Sequence, residues 1–138
     1  MKNNKSLIIS LLAISALFSI FFVSCSKDEN THLLTTASII IDSPLSSSIY
    51  SPNDTVKISG TITSDSTLHG YQIYLRNKAD KSSIAIFNVH EHATQITIDQ
   101  FWVNTIITDT TDVELEIIAA LDHDGNSIGK KVSFKCIP

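Results

Sequence analysis

From Ala37 to the C-terminus the dominant hydrophobic period is two, and a chain with that period has to build sheets. Val56, Ile58, Gly60 and Ile62 alternate with Thr55, Lys57, Ser59, Thr61 and Thr63. Tyr71, Ile73 and Leu75 alternate with Gln72, Tyr74 and Arg76. Val113, Leu115, Ile117, Ala119 and Leu121 share one face of a later run, as Val132, Phe134 and Cys136 do in the last. Successive strand side chains point to opposite faces, so each pattern describes a strand with one face in a core and the other in water. No segment of useful length carries a helical period.

Turn chemistry separates the runs at Ser43-Pro44, Ser51-Pro52-Asn53-Asp54, Ser64-Asp65-Ser66, Asn77 to Ser83 and Asp124-Gly125-Asn126. Strands are therefore predicted near 37–42, 54–63, 68–76, 84–90, 94–98, 112–121 and 128–136. Seven short strands in about 100 residues predict an all-β fold, an immunoglobulin-like antiparallel β-sandwich over residues 37–138. Composition agrees. With 43% hydrophobic residues the chain is too apolar for disorder, and with 2 Cys it is no disulfide scaffold.

The N-terminus has a different logic. Lys2 and Lys5 precede an apolar run from Leu7 to Val23, shorter than the ~20 residues a helix needs to cross a bilayer. A basic start, an apolar stretch and small residues at its end predict a cleaved signal peptide over residues 1–24. Phe22-Val23-Ser24-Cys25 resembles a bacterial lipobox, with Phe22 where Leu is usual. The resemblance implies that Cys25 is lipidated as the first mature residue and anchors the protein to a membrane. Ser26-Lys27-Asp28-Glu29 looks like the export signal of Bacteroidota surface lipoproteins, which implies an outer-membrane, cell-surface location. Residues 25–36 then read as the lipidated Cys and a flexible tether.

A second resemblance lies in Ile39-Ile40-Ile41-Asp42-Ser43-Pro44, Tyr50-Ser51-Pro52-Asn53-Asp54 and Val56-Lys57-Ile58-Ser59-Gly60-Thr61-Ile62. These look like the opening of bacterial Ig-like domains: a strand ending at Ser-Pro, a kinked segment, and a strand with a central Gly. With the lipobox, the chain resembles small single-domain Ig-like surface lipoproteins of the Bacteroidota. That implies fold and location, not chemistry. Asp54-Thr55-Val56 and Asp109-Thr110-Thr111 are similar to O-glycosylation sites of secreted Bacteroidota proteins.

Charge narrows the partners. Against 14 acidic residues the chain has 10 basic ones, two of them in the signal peptide, and no basic cluster, so a general nucleic-acid role is excluded. There is no Gly-rich phosphate loop, Cys-x-x-Cys pair or nucleophile elbow, so a non-catalytic binding module is expected rather than an enzyme.

Histidines are the most informative polar residues. His69 opens the third predicted strand in register with Tyr71, and His123 follows the sixth in register with Leu121. Those strands are antiparallel neighbours in an Ig-like sandwich, and the fourth runs back to the level of His69 carrying His90 and His92. All four imidazoles are expected at one pole. His90-x-His92 puts two rings about 7 Å apart on one strand face, within reach of a single ion. Neutral imidazoles suit Zn²⁺ or Cu²⁺, so His69, His90, His92 and His123 are the candidate metal ligands, with Glu91, Asp122 and Asp124 as nearby oxygen donors. Parity poses a condition. His90 and His92 align with Ile84, Ile86 and Asn88, so a bulge or strand end near Asn88 is needed to bring them to His69.

Asp122-His123-Asp124-Gly125-Asn126 imitates part of a calcium loop but lacks the downstream bidentate Glu, and reads as a hairpin turn. Trp102, between the fifth and sixth predicted strands, reads first as a cap on the sandwich core, and with outward Tyr74 it is the candidate contact for a sugar or protein ligand. Cys136, with no intramolecular partner once Cys25 is lipidated, is expected in the core. The expected partners are the membrane, and an outer-membrane transporter or second lipoprotein that accepts the metal. The competing reading is a glycan- or protein-binding accessory module whose histidines are structural.

Overall fold

The computed structural model describes residues 36–138. The expected signal peptide, the lipidation residue Cys25 and all but the last residue of the tether lie outside the described residues. Eight strands follow in chain order: β1 (Ala37–Ser43), β2 (Ile49–Tyr50), β3 (Thr55–Ser64), β4 (Tyr71–Asn77), β5 (Ser83–Val89), β6 (Gln95–Val103), β7 (Thr111–Ala120) and β8 (Ser127–Cys136). They form a three-stranded sheet, β1-β3-β6, and a five-stranded sheet, β2-β8-β7-β4-β5. In immunoglobulin lettering β1, β3 and β6 are A, B and E, while β8, β7, β4 and β5 are G, F, C and C′. The Ig-like sandwich read from the alternation is the observed architecture.

Two elements depart from expectation. The strand beyond the seven expected is β2, Ile49–Tyr50, which pairs in parallel with Lys135 and Cys136 of β8. Two residues are too few for an alternation to announce. The strand expected near 94–98 continues to Val103, because β3 offers it partners all the way from Thr63 opposite Gln95 to Thr55 opposite Val103. Ile96, Ile98 and Trp102 all face the core, with half-buried Gln100 as the polar interruption that hides the pattern.

The core is the set that alternation selected. Ile58 and Ile62 of one sheet and Ile73, Leu75, Leu115 and Ile117 of the other are fully buried in one apolar cluster. Each such side chain stabilises the fold by roughly 1.5–3 kcal/mol relative to exposure. Cys136 belongs to this cluster, and burial pushes its thiol up to about 11. Gly60 is required by a close approach: a Cβ there would lie 2.1 Å from the Ile40 carbonyl oxygen. The shift in β1 register between Ile41 and Ser43 begins beside it.

Candidate functional site: a histidine pole

β4 is hydrogen-bonded between β5 and β7, with Tyr71 opposite both Val89 and Ala119. The start of β4 therefore lies beside the ends of both neighbours. The ladder to β7 runs past β4 itself, with His69 N–H donating to Ala120 O at 2.9 Å and Ala120 N–H to Gly70 O at 3.0 Å. Leu68 is fully buried and its N–H donates to Ala93 O at 2.9 Å, which pins the approach to β4.

The parity condition is met at a different residue from the one expected. His69 does not continue the inward face of Tyr71, Ile73 and Leu75, because Gly70 adopts φ +102° and interrupts the alternation. Leu68 takes the inward position instead. A Cβ on Gly70 would lie 2.2 Å from Val89 O, so only glycine permits both this turn and the close passage of β5. His69 and His90 together line a groove of about 440 Å³ whose other walls include Gln72, Asn88, Ile118 and Ala120. These four alternate with core residues, so the groove lies on the outer face of the five-stranded sheet.

The structure brings all four histidines into ring contact. His90 and His92 centroids are 4.6 Å apart, His92 and His69 4.8 Å, and His69 and His123 3.9 Å. The Nε2 atoms of His90 and His92 approach to 3.0 Å. His69 Nδ1 is enclosed and has no hydrogen-bond partner. Burial of that ring, reinforced by the neighbouring His123 and His92, lowers its pKa from the usual histidine value, with Asp122 opposing. The ring is accordingly a neutral imidazole at pH 7. Among the described residues no three His, Cys, Asp or Glu side chains already converge on one metal position. The rings form a contiguous row rather than a closed cage, with His90 and His92 as the one pair whose nitrogens nearly meet.

Of the oxygen donors near the row, Asp122 is engaged in the turn. Asp122 Oδ1 accepts from the N–H groups of Asp124 (2.9 Å) and Asn126 (3.0 Å), and Oδ2 accepts from Asn126 Nδ2 at 2.6 Å. With Gly125 at φ +92° this is the expected hairpin turn between β7 and β8, held by its own aspartate.

The remaining candidates separate. Trp102 is 9% exposed, lies within β6 opposite Val56 and belongs to the core cluster. It sits within β6 and not in the crossing between sheets, a correction of its place that follows from the full length of β6, while its packing in the core is the structural role read for it from the sequence. Tyr74 is on the outer face, its hydroxyl donating to Gln72 Oε1 at 2.7 Å, with the Arg76 guanidinium 4.2 Å from its ring centre. Sequence reasoning missed Asn104, the one fully buried polar residue among those described. Its Nδ2 donates to Ser51 O at 3.0 Å and its Oδ1 accepts from Ile106 N–H at 3.0 Å. Its only signal in the sequence is a polar residue directly after an apolar run.

No family model matches the chain, and no curated protein is significantly similar to it. Among solved structures it is similar to the fibronectin(III)-like modules of Clostridium thermocellum CbhA, at 18% identity and a TM-score of 0.45. That match covers 72% of this chain and 94% of the other. The sandwich assignment rests on the strand order itself.

Proposed function

We propose that this protein is a non-catalytic binding lipoprotein, held at the outer-membrane surface by a lipid on Cys25, that takes up Zn²⁺ or Cu²⁺ at its histidine pole. The observation that carries the reading is the His90–His92 pair, with Nε2 atoms 3.0 Å apart. Two imidazole nitrogens on one tetrahedral ion at about 2.0–2.1 Å lie roughly 3.3 Å apart, so a small rotation of either ring opens the pair into a chelate. His69, neutral and in edge contact with His92, is the next ligand in reach, and His123 beyond it completes the set. Neutral imidazoles would capture the ion near pH 7 and release it as acid protonates them. An outer-membrane transporter or a second lipoprotein would then receive the metal.

Titration of the untagged domain from Ser26 onward with Zn²⁺ and Cu²⁺ tests this. Stoichiometric binding at pH 7.5, lost at pH 5.5 and in the His90→Ala/His92→Ala variant, is the expected result. Affinity no tighter than about 10 µM, the level of incidental surface histidine pairs, sinks it. The groove favours one other reading. Gln72, Asn88, Asn126 and Ser127 surround its apolar floor at Ile118 and Ala120, a lining that suits a hydroxyl-rich ligand such as a glycan. Glycan binding that survives loss of His90 and His92 would establish that reading in place of the metal.

A further inference from the structure

The chain enters the sandwich at the histidine pole. Thr36 N–H donates to both carboxylate oxygens of Asp65 at 3.0 Å, and Asp65 N–H donates back to Thr36 O at 3.0 Å. Ala37 pairs with Ser64, and Ser64 N–H donates at 2.8 Å to Thr94 O, two residues past His92. The connection from Ser64 to β4 passes through Leu68 and His69, whose N–H groups donate to Ala93 O and Ala120 O. The entry point and the row of imidazoles therefore belong to one end of the body. At the other end Thr55 pairs with Val103 and Thr111 with Cys136. The ten residues of β3, at about 3.3 Å each, set the two ends roughly 30 Å apart. Charge also marks the histidine end. Residues 64–70, 90–94 and 120–126 include Asp65, Glu91, Asp122 and Asp124 and no lysine or arginine, so an anionic lipid surface offers this end no attraction.

We infer that the histidine pole is the membrane-facing end of the domain, and that its partner is a membrane-embedded protein met end-on between domain and bilayer. This orientation rests on the lipid anchor proposed at Cys25, not on the metal, and it selects a transporter over a second lipoprotein. From Cys25 to Thr36 the chain spans at most about 40 Å when fully extended. The bonds between Thr36 and Asp65 fasten that length to the histidine pole, so this end cannot rise farther from the bilayer. The opposite end can stand roughly 30 Å beyond it. A second lipoprotein anchored alongside would meet the sheet faces from the side, whereas the row of rings lies at an end. A membrane-embedded protein presents its outer surface beneath that end, within the height the anchor allows. The acidic character of the pole leaves the lipid itself as the poorer match.

Energy transfer from the full chain, processed in a bacterial host and placed on phosphatidylcholine vesicles with an acceptor dye on the headgroups, tests the orientation. Thr67→Cys and Thr108→Cys each take the donor dye, both positions being exposed and one lying at each end, while buried Cys136 does not compete. Transfer from position 67 is expected to be at least about twofold stronger, since roughly 30 Å separates the ends. Equal or reversed transfer overturns the orientation. A chain that does not float with the vesicles overturns the anchor, and this orientation with it. A photoreactive group at the same two positions, in intact cells that make the chain, tests the partner. A product with a membrane-spanning protein is expected from position 67 and not from position 108. Duplicating residues 26–36 should reduce it about threefold, as effective concentration falls with tether length. No product, products with lipid alone or with a second lipoprotein, or equal products from both positions overturn the partner.

Discussion

The two poles of the sandwich treat buried polar groups in opposite ways. At the end where β3 begins and β6 ends, Asn104 is fully buried and its side chain is spent on the chain itself, donating to Ser51 O and accepting from Ile106 N–H. Its backbone is equally committed, with Asn53 N–H donating to Asn104 O and Asn104 N–H to Asp54 O, both at 2.9 Å. At the other end, where β4 begins and β7 ends, His69 Nδ1 is enclosed without a partner and lies in a row of four imidazoles. A satisfied buried polar group stabilises and specifies a fold, while an unsatisfied one costs about 1–3 kcal/mol. The Asn104 pole is construction. The histidine pole leaves one enclosed nitrogen unpaired at a local cost.

Substitutions can break that comparison. The largest effect is expected from Gly70→Ala, which places a Cβ against Val89 O in a backbone conformation that L side chains rarely adopt. A loss of about 2–4 kcal/mol in urea unfolding is expected, together with weakened metal binding as His69 is displaced from His92. Unchanged metal affinity would mean that Gly70 does not set the pole. Next comes Asn104→Ala, which strands the Ile106 N–H and leaves the Ser51 carbonyl with only the Asp54 N–H as donor, and should cost about 1–3 kcal/mol, leaving the proposed metal binding intact. A cost below about 0.5 kcal/mol would show that water replaces the amide and that the two poles are less different than they look. The smallest effect is expected from His69→Leu. Replacing a half-buried imidazole whose Nδ1 has no partner by an apolar group of similar size should leave stability within about 0.5 kcal/mol or raise it, while the proposed metal affinity falls. A large destabilisation would make His69 a structural residue and remove the contrast.

The strands were legible because a half-buried sheet writes its faces into alternate residues. Tyr71, Ile73 and Leu75, or Leu115, Ile117 and Ala119, point inward for no reason beyond their parity. What lacked periodicity was missed: Ile49–Tyr50 is too short, and Gln100 breaks the apolar rhythm that would have carried β6 on to Val103. The meeting of His69, His90, His92 and His123 was legible at the level of strand order, since neighbouring antiparallel strands bring the start of one to the end of the next. How the rings meet was not. Parity alone placed His69 on the inner side and His90 on the outer, and the conflict is resolved by a single positive φ at Gly70.

Local chemistry by itself determined the class of this protein: alternation chose sheets, turn residues divided them, and the count of strands made a sandwich. Those signals are properties of neighbouring residues, so they survive without knowledge of the rest. The parallel pairing of β2 with β8, the extension of β6 to Val103, the burial of Asn104, and the 3.0 Å approach of His90 to His92 were decided only by the tertiary structure. Each depends on which distant segment supplies a hydrogen-bond partner or fills a space, and no local pattern encodes that choice.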